Sequence, residues 1–266
     1  MEKYNLPHEE IKRFEVYEGA NTKAMPKLRA DGRVPANVSQ IMQRRLDLRN
    51  DDTGVKSFYM DKYFDTGDAV VYHPDGRVKV VLDSQHLRDM TSDTPRNGGA
   101  LIIGEDVYNV LEGEEFKKGK LGKTGDWMSK KDVKAHPVWK VLARDQALLD
   151  DYADYIFAES KEKFGYDNGM GIFVSSANGD TPEMRAWYVY GLGDGSGADG
   201  GVDLVSGGGR LLGIAPEALS APAKGASSVQ RYTMADLQAF DKSVKGLEGT
   251  LHPDVLKSLT DLRKKL

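Results

Sequence analysis

"FDTGDAVVYHPDGRVKVVLDSQH", residues 64–86, sets two short apolar runs around a central Pro-Asp-Gly and carries four aspartates and two histidines. The runs are rich in β-branched residues that suit a pleated surface, and "HPDG" between them is turn chemistry. Pro74 and Asp75 fit a type I turn, with Gly76 in the left-handed position that closes a three-residue hairpin loop. A two-residue Asp-Gly loop would put Pro74 at a paired position, where its missing N–H is a loss. The longer loop fixes a register: His73 faces Arg77, Tyr72 faces Val78, Val70 faces Val80 and Asp68 faces Leu82. Tyr72, Val70, Val78, Val80 and Leu82 then share one face, expected to be core. His73, Val71, Arg77, Lys79 and Val81 share the other, expected to be partly wet.

The same register sorts the polar ends. His73 sits at the tip, and Gly67 meets Asp83 at the open end, roughly 20 Å away at the usual strand rise. His73 and Asp83 therefore cannot share a metal. Asp65, Asp83 and His86 can, and two carboxylates with an imidazole suit a divalent metal ion or an acid–base pair. The competing reading is that Asp65, Asp68 and Asp83 end strands and cap turns.

The chain around this ribbon has 266 residues, enough for one large domain or a domain with an appendage. A net charge of −4 leaves no overall positive field to hold nucleic acid. The absence of cysteine removes disulfides, thiolate zinc sites, iron–sulfur clusters and a cysteine nucleophile. The first residues are charged and lack the apolar core of a secretory signal, and no apolar run approaches the ~20 residues of a membrane helix, so a cytoplasmic protein is expected. No G-x-S-x-G, H-E-x-x-H or complete phosphate-binding loop is present.

Upstream, "RVPANVSQIMQRRLDLRN" (33–50) reads as a helix with Pro35 near its start and Val38, Ile41, Met42 and Leu46 at helical spacing. Residues 27–49 carry six basic side chains against two acids, the one stretch to consider as a nucleic-acid or partner face. No aromatic lies between Glu18 and Ser57 to stack on bases, so a solvated helix face is the better reading.

Downstream, Ala100–Ile103 reads as a strand followed by a short helix. "GKLGKT" (119–124) resembles the end of a phosphate loop, but Lys117 stands where a glycine is required and no strand precedes it. Ser129 with Asp132 forms a capping box for a short helix, and Pro137 suits the first turn of a long helix running to about Lys163. Val138, Leu142, Asp145, Leu149, Tyr152 and Ile156 follow one stripe of that helix. Asp145 on an apolar stripe needs Arg144, Arg185 or a backbone amide as partner, or else faces a pocket as a second catalytic acid beside Asp83.

Fourteen of the 29 glycines fall between Gly165 and Gly213. "MGIFVSS" (170–176) and "RAWYVYGL" (185–192) read as strands of a long hairpin, and "GRLLGIAP" (209–216) as a further strand. Gly195, Gly197 and Gly200 satisfy G-x-G-x-x-G, but "GGVDLVSGGG" cannot open the helix a dinucleotide needs. Asp194, Asp199 and Asp203 do not match an EF-hand, so 191–209 is expected to be a surface loop. Residues 218–232 read as a linker. In 233–266, Met234, Leu237, Phe240 and Val244, then Val255, Leu256, Leu259 and Leu262, form the apolar stripes of two helices too small to stand alone.

The expected fold is α+β: an antiparallel-rich sheet packed against a long helix in a main domain 1–217, with a C-terminal helical hairpin. Two functions follow. One is a binding or assembly protein that meets protein partners, or itself, through 233–266 or the basic helix. The other is a metal-assisted or acid–base hydrolase centred on Asp65, Asp83 and His86. The first is preferred, because no catalytic motif survives its context.

Overall fold

The computed structural model describes residues 6–219, apart from Asp52 and Lys118. Ala218 and Leu219, expected in the linker, end a short helix; the rest of the linker and the helical hairpin lie outside the described residues.

The hairpin forms with the register read from its turn. The Gly76 amide donates to His73 O and the His73 amide to Arg77 O, both at 2.9 Å, and Gly76 has φ +90°. Tyr72 pairs with Val78 and Val70 with Val80. The open ends stay close: the Ser84 amide donates to Gly67 O at 2.8 Å.

In chain order the elements are α1 (His8–Arg13), β1 (Phe14–Glu18), α2 (Asn21–Ala30), β2 (Val34–Pro35), α3 (Val38–Asp47) and α4 (Gly54–Asp61). The hairpin strands β3 (Phe64–Tyr72) and β4 (Val78–Val81) follow, then α5 (Gln85–Asp89), β5 (Arg96–Asn97), β6 (Ala100–Ile102), α6 (Glu105–Val110) and β7 (Glu114–Phe116). The second half holds α7 (Lys130–Ala135), α8 (Pro137–Ala143), α9 (Gln146–Phe164), β8 (Ile172–Phe173), β9 (Glu183–Val189), β10 (Ala198–Asp199), β11 (Arg210–Ile214) and α10 (Pro216–Leu219).

All these strands join one sheet, whose main path runs β1-β11-β3-β9-β10-β8. Pairing is antiparallel except for β11 with β3 and β10 with β8. One edge of β3 is shared: its first half meets β11 and its second half meets β4. The change falls near Gly67, whose amide donates to Ala36 O and where an added Cβ would stand 3.0 Å from Pro35 Cγ. Glycine lets the strand from Pro35 pass this close.

Both faces of β3 and β4 are buried, which corrects the half-wet expectation for these strands. Val70, Tyr72, Val78 and Val80 join a core with α3, α4, α8 and α9. Ala69, Val71 and Val81 join a second core with Met25 and Leu28 of α2, Leu87 of α5 and Tyr108 of α6. Lys79, expected in solvent, is buried; its ammonium donates to Tyr108 O at 2.8 Å and Leu111 O at 3.1 Å and lies 4.3 Å from the Tyr108 ring centroid. Leu82, expected in the core, lies past the end of β4 and is exposed.

Three further expectations change in detail. The helix read over 33–50 is α3 and starts at Val38, because Asn37 and Gln40 form a reciprocal capping box; Pro35 belongs to β2. The long helix is broken into α8 and α9: Arg144 takes φ +65° and Asp145 becomes the N-cap of α9, accepting from the Leu148 amide at 2.8 Å. Strands β8 and β9 do not form a hairpin. The glycine-rich tract sends β10 between them, parallel to β8 and antiparallel to β9. Ala198–Asp199 of that tract therefore join the sheet and Leu192, Ser196, Ala198 and Leu204 are buried, while 205–208 stay exposed as a surface loop was expected to be. Among the described residues no helix is long and apolar enough to cross a membrane.

Candidate functional site

The acids singled out in the sequence occupy separate settings. Asp65 is buried beneath β11, with Oδ2 accepting the Arg210 amide at 2.6 Å. Burial pushes its carboxyl up to about 6, against the opposing pull of that amide and of Asn21. Asp83 is half-buried and accepts from Arg144 at 2.6 Å and from Asn37 at 3.1 Å. Burial pushes its carboxyl up, but Arg144 and Asn37 outweigh that and hold it below its usual range. His86 is exposed on α5 and Asp145 is spent on its helix cap. Among the described residues no three His, Asp or Glu side chains are placed to hold a metal ion. The structure thus does not bring Asp65, Asp83 and His86 together as ligands.

The basic stretch is largely committed as well. Arg29 pairs with Asp89 at 2.5 Å, Arg33 with Glu15 at 3.1 Å and Arg44 with Glu10 at 2.5 Å. Arg45 is wholly buried. It donates to the carbonyls of Tyr59, Lys62 and Tyr190 and to the hydroxyls of Tyr152 and Ser196, joining α3 to α4, α9 and the end of β9.

A different site emerges from strand alternation. Ile172, Trp187, Val189 and Ala198 point into the first core. Their neighbours Phe173, Tyr188, Tyr190 and Asp199 therefore point to the other face. There the second core, built on β3, β4, β6 and β11, does not include them. They remain half-buried, and rings from two distant segments join them to make one continuous row. Tyr63 packs on Tyr188 at 5.7 Å, Tyr188 on Tyr190 at 4.6 Å, Tyr190 on Phe173 at 5.9 Å and Phe173 on Trp127 at 5.1 Å between ring centroids. The Tyr190 hydroxyl donates to Asp199 Oδ2 at 2.8 Å. Burial, together with Asp199, pushes that phenol up to about 12 despite a favourable bond from Tyr188, so it stays protonated and a donor.

The row ends at a cleft of about 580 Å³ beside Trp127, bounded by Tyr166, Asp167 and Asp194. Tyr166 stacks on Phe164 at 5.3 Å, and both rings are exposed. The cleft floor is backbone at Gly193 and Gly195. It is held from below in unusual geometry: Met170 and Ser196 have φ +46° and +51°, and the Met170 amide donates to Gly195 O at 2.6 Å. Non-glycine residues in the left-handed region persist only where surroundings over-determine them. Here Trp139 donates to Met170 O at 2.7 Å, and Arg45 reaches Ser196 at 3.4 Å.

The row was not legible as a site in the sequence. The alternation in "WYVY" was the available signal, since it puts Tyr188 and Tyr190 on one side of a strand. Nothing local linked them to Tyr63 or Trp127.

No protein-family model and no curated protein matches the chain. Among solved structures, the chain is similar to a Nanoarchaeota protein in which the C-type lectin fold accommodates massive sequence variation. The TM-score is 0.57 at 14% identity, covering 76% of this chain and 96% of that one. The likeness is one of fold. The fold it shares is C-type lectin-like, with one large mixed sheet and helices packed against it.

Proposed function

We propose that this C-type lectin-like domain is a non-catalytic binding protein that receives a protein partner on the row Tyr63–Tyr188–Tyr190–Phe173–Trp127. The observation that carries the reading is the continuity of five half-buried rings on a sheet face left outside the second core. Tyrosine and tryptophan supply large, rigid, amphipathic contact area at low entropic cost, and they dominate interface energetics for that reason. The scaffold behind the row is fixed by Arg45 and the first core, so little ordering is needed on binding. The Nanoarchaeota protein supports the reading in one respect: there a similar fold accommodates massive sequence variation.

Selection of a displayed random-peptide library on the wild-type chain and on a Tyr188→Ser/Tyr190→Ser variant tests this. Wild type should enrich a family of sequences and the variant should not, while its melting temperature stays within a few degrees. Peptides that bind both proteins equally would overturn it.

A further inference from the structure

We infer that the partner segment is basic, and that arginine or lysine side chains enter the cleft at the Trp127 end of the row. The inference rests on the binding-face reading and adds its chemistry.

Of the bases near the cleft, Lys123 is held by Asp126 at 2.9 Å and by Trp127 O at 2.9 Å, and Lys161 by Asp167 at 2.6 Å. Each of those bases therefore cancels one acid. Asp194 and Asp199 have no basic partner among the described residues; Asp194 lines the cleft, and Asp199 accepts from Tyr190 in the middle of the row. This part of the face thus presents two uncompensated carboxylates beside rings.

The row already holds one guanidinium at its far end. Arg210 lies 4.9 Å from the Tyr63 ring centroid and pairs with Glu18 at 3.0 Å. A ring below and a carboxylate beside a guanidinium make a favourable site for it. At the Trp127 end the ring and the carboxylate are both present, as Trp127 with Asp194 and Tyr190 with Asp199, and the cation is what a partner would bring. Gly193 is exposed, and an added Cβ there would meet only Phe164 Cζ at 3.9 Å, so a long side chain has room to lie beside it. An acidic partner would meet repulsion here, and a purely apolar one would bury two carboxylates without a counter-charge, Asp199 with only the Tyr190 hydroxyl and the Gly201 amide on it, which is costly.

Three labelled peptides of equal length, rich in arginine and lysine, in glutamine, or in glutamate, are titrated by fluorescence anisotropy. The basic peptide should bind about tenfold tighter than the glutamine peptide, and more weakly as salt is raised. Asp194→Asn, an exposed position, should weaken it about threefold, and Asp194→Asn/Asp199→Asn further. A charge-matched control, Asp93→Asn/Asp106→Asn, should leave binding unchanged. Equal loss in the control, or glutamine and basic peptides binding alike, overturns the inference. If library peptides still need Tyr188 and Tyr190 but carry no basic residues, only the charge assignment falls. If no peptide binds the row, both readings fall.

Discussion

Arg144 donates to Asp68 at 2.7 Å, and that carboxylate is wholly buried. The second arm of the same guanidinium donates to Asp83 at 2.6 Å. Asp68 also accepts the amides of Val38 and Asp83, each at 2.9 Å, so one carboxylate ties α3, the end of the hairpin and the break between α8 and α9. Burial pushes the Asp68 carboxyl up, and Arg144 with the two amides only partly offsets this. Arg144 and Asp83 both have positive φ, at +65° and +49°. The strain is the cost of placing this bridge.

Removing the cation would leave Asp68 buried without a counter-charge. Arg144→Met should therefore lower unfolding free energy by about 3–5 kcal/mol, read from urea denaturation. Arg144→Lys, which keeps the charge but cannot bridge two carboxylates in a fork, should fall between. A Met variant with the wild-type midpoint would show that the bridge adds no net stability.

Much of the hairpin was legible in the sequence and much of its setting was not. Pro74, Asp75 and Gly76 fix the turn and hence the register, because turn chemistry is local. Asp145, read as an acid on a buried helical stripe, is instead exposed and caps α9 through the Leu148 amide. The helix break that makes this possible depends on Arg144 reaching Asp68, a contact 76 residues away in sequence that no periodicity reports. Glycines 195, 197 and 200 looked like loop punctuation. They are required because the chain squeezes between β8 and β9, where an added Cβ at Gly197 would stand 2.8 Å from Gly171 O. The aromatic row was half visible for the same reason: Tyr188 and Tyr190 follow strand alternation, whereas Tyr63 and Trp127 arrive by tertiary folding alone.

Arg45 gives a second prediction. Its guanidinium is satisfied entirely by neutral oxygens, three carbonyls and two hydroxyls. Arg45→Met would leave those acceptors unsatisfied in the core, a loss of roughly 3 kcal/mol or more. Because Tyr190 O and Ser196 are among them, limited proteolysis should show cleavage within 190–200 appearing first. Unchanged protection there would detach Arg45 from the cleft floor.

Gly200 gives a third. A Cβ there would lie 2.6 Å from both the Tyr72 hydroxyl and Val70 Cγ1, and Tyr72 donates to Gly200 O at 3.0 Å. Gly200→Ala should cost about 1–3 kcal/mol through overpacking. Gly207→Ala is the matched control, because an added Cβ meets nothing within 4 Å. It should melt with the wild type.

Asp65 makes stability depend on pH in a direction opposite to most carboxylates. Burial raises its folded pKa from 3.8 to about 6. Between those values the folded state holds a proton that the unfolded chain has released. Stability from this group is therefore fully present below pH 4 and is lost as pH rises through 6. The loss is worth up to about 3 kcal/mol at pH 7. Asp65→Asn keeps an oxygen for the Arg210 amide and removes the charge. Denaturation curves for wild type and Asp65→Asn should coincide near pH 4 and separate by about 2–3 kcal/mol by pH 7.5, with the variant more stable. Parallel curves across that range would mean that Asp65 titrates as it does in solvent, and that the amides of Arg210 and Asn21 fully offset its burial.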